Sequence, residues 1–170
     1  MDVLTDILDS MRLTGGVVVD GSTKGDWCLI SQFNDEDRAR MAPGASELVA
    51  YHYVRSGRVH ARVDGQPPVT ASAGDIILLP RNDEHLFYSR GDIPPVDSHE
   101  LMQEGSESGG PARLVIDGTG EAASFYCGFL AVSTQRHPLL GSLPPVLKLG
   151  SSDSARSEWL ESSLPMINEG

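Results

Sequence analysis

Gly74-Asp75-Ile76-Ile77-Leu78-Leu79-Pro80-Arg81-Asn82-Asp83-Glu84-His85 is the segment that most constrains the architecture. Gly74 permits a tight turn into the next strand. Ile76 to Leu79 is an unbroken apolar run of strand length, the pattern of a strand buried on both faces. Pro80 has no N–H to donate, so it ends the ladder. The turn after it favours a left-handed residue, and Asn82 tolerates that conformation. A further strand then turns His85 toward the interior.

The flanking sequence has the same character. Short β-branched and aromatic runs alternate with Gly, Pro, Asp and Asn from residue 16 to residue 133, the signature of an all-β barrel or sandwich. Strands are expected over 16–19, 27–33, 47–56, 58–64, 75–79, 85–89, 113–117 and 124–133. Arg58-Val59-His60-Ala61-Arg62-Val63 alternates, which sends Val59, Ala61 and Val63 inward and Arg58, His60 and Arg62 outward. Asp64-Gly65 is a hairpin signal. With Ser56-Gly57 as a second turn, residues 47–70 read as consecutive antiparallel strands. His52 lies two residues from Ala50, on the same face.

Other segments are helical or irregular. Leu4, Ile7, Leu8 and Met11 have helical spacing, so a short N-terminal helix is expected, ended by Gly15-Gly16. Residues 90–112 are polar and rich in Gly and Pro and read as a mobile surface loop, with one helical turn near 100–104. A short helix is expected over 137–143 and an extended piece over 146–149. A last helix over 154–168 carries Trp159, Leu160 and Leu164 on one face.

The whole chain has 170 residues, one domain or a domain with an appendage, and a net charge of −11 from 13 Lys+Arg against 24 Asp+Glu. Phosphate backbones and anionic membranes repel such a chain. No segment approaches the ~18–20 apolar residues of a membrane span. The N-terminus lacks the basic start and apolar core of a secretory signal, so a cytoplasmic location is expected. Cys28 and Cys127 form no metal motif. As the chain's two cysteines, they are redox candidates if neighbouring strands bring them together.

The 74–85 segment, written G-D-x4-P-x-N-x2-H, resembles the second motif of the cupins, G-x5-P-x-G-x2-H. The resemblance implies a mainly β chain built on a cupin-type barrel (a double-stranded β-helix, or jelly roll), with His85 at a metal-ligand position. The first cupin motif, G-x5-H-x-H-x3-4-E-x6-G, matches only at Gly57. Counting back places Ala50 where its Glu belongs and residues such as Gly44 and Ser46 where its His pair belongs. Three of the four usual ligands are missing, which disfavours a metal-dependent enzyme. No cofactor is firmly implied, and a divalent metal at His52 and His85 is the one candidate.

Two further stretches resemble a particular branch, the N-terminal cupin domains of AraC-type transcriptional regulators. They are Tyr51-His52-Tyr53-Val54-Arg55-Ser56-Gly57, and Tyr126-Cys127-Gly128-Phe129 followed by His137-Pro138-Leu139-Leu140-Gly141-Ser142-Leu143-Pro144-Pro145. The resemblance implies a cytoplasmic sensor and dimerisation domain over residues 1–150, and the start of a linker or dimerisation helix over 151–170. The DNA-binding half is read as absent from the chain, so DNA is a partner only through it. The implied partners are a small-molecule or redox effector and a second copy, with no membrane. The pocket candidates are Trp27, His52, Val54, His85 and Phe87, and the dimer candidates Trp159, Leu160 and Leu164. Catalysis is not expected. The alternative is a stand-alone cupin, either a metal-dependent dioxygenase or isomerase or a metal-free binder.

Overall fold

The computed structural model describes residues 13–44, 47–103, 111–132 and 142–150. The strands are β1 Leu13–Lys24, β2 Cys28–Ser31, β3 Glu47–Ser56, β4 Arg58–Val63, β5 Val69–Ser72, β6 Ile76–Leu79, β7 His85–Tyr88, β8 Val96–Asp97, β9 Met102–Gln103, β10 Ala112–Ile116, β11 Ala122–Val132 and β12 Leu147–Leu149. Two short helices interrupt them, α1 Asp35–Met41 and α2 Ser98–Leu101. The expected N-terminal helix, the 154–168 helix with Trp159, Leu160 and Leu164, and most of the 137–143 helix lie outside the described residues.

The expected barrel is corrected. The strands form two open sheets, ordered β12-β6-β3-β11-β1-β10-β9 and β5-β4-β7-β2-β8, and neither closes on itself. Gly57 is where the chain leaves one sheet for the other. It holds φ 79°, and a Cβ there would lie 2.4 Å from the Ala122 carbonyl oxygen. Before it, β3 pairs with β11 and β6. After it, β4 pairs with β5 and β7. Residues 47–70 are therefore not one antiparallel run: the β4–β5 hairpin turns through Gly65 as its Asp-Gly signal suggests, but β3 belongs to the opposite sheet.

The inner faces of the two sheets share one core. Leu29, Val59, Ala61 and Phe87 from the five-stranded sheet meet Ala50, Val54, Ile77, Leu79 and Phe125 from the seven-stranded sheet. Val59, Ala61 and Val63 are buried and Arg58 and Arg62 exposed, as their alternation requires. Trp27 is also core. It stacks on Phe125 at 5.6 Å and meets Phe87 edge-on at 5.2 Å.

Two elements depart from the sequence reading. β1 already runs from Leu13, through the Gly15-Gly16 pair expected to end a helix. The expected loop is partly structured. Within it β8 pairs in parallel with β2, and β9 pairs with β10. Residues 96–103 thus form a strap from the edge of one sheet to the edge of the other.

Candidate functional site

The 74–85 segment folds as its chemistry requires. Gly74 has φ 93° and Asn82 φ 57°. Asn82 does more than tolerate the left-handed turn. Its Oδ1 accepts from the Phe33 N–H at 3.1 Å, and its Nδ2 donates to the Phe33 carbonyl at 2.7 Å. Glycine could make neither bond. The turn sets the phase of β7, so His85 and Phe87 face inward while Leu86 and Tyr88 are half-buried on the other side.

On the opposing sheet, β3 sends Ala50, His52 and Val54 inward. His52 and His85 are 4% and 3% exposed, and their Nε2 atoms are 2.7 Å apart, a hydrogen bond between the sheets. The other His52 nitrogen, Nδ1, lies 2.8 Å from Cys127 Sγ. Cys127 is the register partner of His52 on β11. His85 Nδ1 lies 2.9 Å from the Asp83 carbonyl oxygen.

That carbonyl can only accept, and it fixes every proton in the row. His85 must carry its proton on Nδ1, leaving Nε2 a lone pair. His52 therefore donates from Nε2 and accepts at Nδ1, and the Cys127 thiol donates to it. The chain runs Cys127 S–H to His52, His52 N–H to His85, His85 N–H to Asp83 C=O. Burial keeps it neutral. Desolvation, reinforced by the nearby His85, holds His52 well below the ordinary imidazole range. Desolvation outweighs the pull of Asp83 on His85, which falls to about 4. Burial pushes the Cys127 thiol far up.

These residues line a cavity of about 50 Å³ between the sheets, with Leu29, Ala50, Phe87, Leu114 and Phe125 among its apolar walls. The strap covers one side through Ser98, His99 and Met102. His99 pins it: Nε2 lies 2.8 Å from Oδ2 of buried Asp37 on α1, and Nδ1 lies 3.0 Å from Asp97 Oδ1. Partial burial disfavours the His99 charge, but its hydrogen bonds to the accepting carboxylates of Asp37 and Asp97 outweigh it and raise its pKa.

Of the five pocket candidates, His52, His85 and Phe87 line the cavity, whereas Trp27 and Val54 are packed into the core beside it. Cys127 lines it too. The two cysteines are not brought together. Both are free thiols, on different sheets. Leu29 fills the cavity side of β2, so its neighbour Cys28 occupies the other face. Burial raises the Cys28 thiol despite the counteracting Arg62. The sequence gives no sign of His99 as a tether or of the strap that carries it, because strands of two residues have no periodicity to read.

The hydrogen-bonded spacing of the two imidazoles differs from that of a shared metal ion. Two imidazoles sharing a tetrahedral zinc at about 2.0–2.1 Å would hold their nitrogens about 3.3 Å apart, wider than the 2.7 Å here. Ala50 presents a methyl where the cupin motif places a carboxylate. Among the described residues no group of three or more His, Cys, Asp or Glu side chains is placed to hold a metal.

Among the described residues no helix is long and apolar enough to cross a membrane. No curated protein matches the chain. Among solved structures, ToxT from Vibrio cholerae with an unsaturated fatty acid bound matches at 10% identity and a TM-score of 0.40, over 95% of this chain and 54% of its own. The chain thus spans about half the length of that protein. A family model described as cupin matches residues 2–169. With the 74–85 turn and its inward histidine in place, that match across nearly the whole sequence means that the chain belongs to the cupin family.

Proposed function

We propose that this chain is a ligand-binding sensor domain and that its site is the cavity between the sheets. One observation carries the reading. An apolar cavity surrounds a hydrogen-bonded group, Cys127-His52-His85, whose protons are all assigned, and a strap tied at both ends covers it. Ligand sites combine apolar walls with a few placed polar groups in this way. At about 50 Å³ the cavity is well below the ~150 Å³ of an engineered cavity that takes up benzene. Ligand uptake therefore displaces the strap, and strap position reports occupancy. Two features support binding over catalysis in this proposal: the histidines are engaged with each other, and Ala50 stands where the family motif has a carboxylate.

The finer reading is the effector-sensing and dimerisation domain of an AraC-type regulator. It is supported by the residues 51–57 and 126–129, together with the 74–85 motif. An effector that favours one strap arrangement shifts its population by the difference in its affinity for the two. A helix-turn-helix pair encoded after codon 170 of the natural gene supports this reading, and a stop codon there removes it.

The binding test is a thermal-shift screen of small neutral aromatics, acids, oxidants and metals on the wild type and on Ala50→Leu, which fills the cavity. A ligand that binds the native state raises the midpoint. The expected result is a compound that raises the wild-type midpoint by several degrees and leaves Ala50→Leu unmoved. Equal shifts in both would place binding elsewhere and overturn the reading.

A further inference from the structure

We infer that the cavity is built for an uncharged ligand with an apolar body, and against anions and metal ions. This rests on the binding function proposed above and names its ligand class. The titratable groups that line the cavity are Tyr51, His52, His85, His99 and Cys127, and each has its O–H, N–H or S–H hydrogen engaged. The Tyr51 hydroxyl donates to the Gly16 carbonyl at 3.1 Å. The thiol and both imidazoles form the directed row that ends on Asp83. His99 is held between two carboxylates.

Among the described residues that line the cavity, no positive charge is left for an anion. The buried histidines are neutral, and the positive charge of protonated His99 is matched by Asp37 and Asp97. Those carboxylates, on a chain of net charge −11, place negative potential at the strap. An anion would enter a largely apolar site without a counter-charge, against the penalty of desolvating its charge. A metal would have to break the His52–His85 bond to find two nitrogens. What the cavity does offer is an aromatic wall: His52 stacks on Phe87 with centroids 3.9 Å apart, and Phe125 meets Phe87 edge-on at 4.8 Å. Ser31 and Ser98 belong to the same lining, and a serine hydroxyl suits an uncharged hydroxyl or carbonyl on the ligand.

Benzyl alcohol and benzoate separate charge from shape, since they share a ring and nearly share a size. Calorimetric titration of the protein at pH 7.5 with benzyl alcohol, benzoate and zinc chloride reads the preference. Long-range nitrogen–proton NMR of the histidines reads their proton positions in the same samples. The expected result is benzyl alcohol binding at least about 100-fold tighter than benzoate, with no zinc uptake, His52 protonated on Nε2 and His85 on Nδ1. Benzoate or zinc binding as well as benzyl alcohol, or a doubly protonated His52 or His85, overturns the ligand class. If the tautomers are those given but none of the three binds, the binding function itself is overturned, and the ligand class with it.

Discussion

His85 donates a hydrogen bond from its Nδ1–H to a backbone carbonyl, and through it one main-chain atom orients three side chains on three strands. Such a row is costly to break in the middle. His52→Leu leaves His85 Nε2 without its donor and should destabilise the fold by roughly 1–3 kcal/mol. His52→Leu combined with His85→Met removes both partners and should cost less than His52→Leu alone. Urea unfolding of the two variants checks this, and a double variant worse than the single one would contradict the directed bond. Acid supplies a second readout. An imidazole held below its unfolded value binds fewer protons folded than unfolded, so it costs stability as pH falls below about 6.5. The loss levels off only below the folded value of about 4. For His85 that interval corresponds to about 3 kcal/mol, and the double variant should lack this acid limb. The inward pair was legible in the sequence, from the period of two on β3 and from the Pro80-to-His85 turn. Cys127 was not legible as its third member, because it meets His52 only through the register of β11 on β3.

The strap is the element where shape and titration meet. Its strands β8 and β9 are two residues each, so pairing alone holds it weakly. His99 adds a contact to buried Asp37, whose other oxygen faces Arg40 at 3.3 Å, and a second contact to Asp97. The raised pKa of His99 fixes the sign: its contribution is complete below about pH 6.5 and is lost as pH rises through its folded value, since neutral imidazole keeps one N–H for two carboxylates. Hydrogen exchange over residues 96–103, corrected for intrinsic rates, should therefore be faster at pH 8.5 than at pH 6. His99→Gln should abolish the difference; an unchanged difference in that variant would show that another group is responsible. α1 was also unread in the sequence, although its signal was there. Asn34 caps it and Asp37 returns the bond to the Asn34 N–H, a reciprocal pair, with three acidic residues in the first turn. Its seven residues complete only two turns, too few for a helical period to stand out between strands. The long strands were legible because one or both faces are buried, which imposes period two or an unbroken apolar run.

Across the whole molecule, local signals placed most strands within a residue or two, but they did not determine sheet membership. β3 and β4 are adjacent in sequence and lie in opposite sheets, a choice made at Gly57 by its close approach to β11. The same separation puts Cys28 and Cys127 on different sheets, and it produces the cavity, whose walls come from both. The cupin family match, the inward histidines and Ala50 in the carboxylate position support the proposed reading, a binding cavity with a hydrogen-bonded histidine row under a strap. A crystal structure grown with benzyl alcohol tests this most directly. The expected result is the alcohol lying between Phe87, His52 and Met102, with the strap displaced outward and the His52–His85 hydrogen bond intact. A metal ion between the two Nε2 atoms, or the alcohol bound only outside the two sheets, would contradict it.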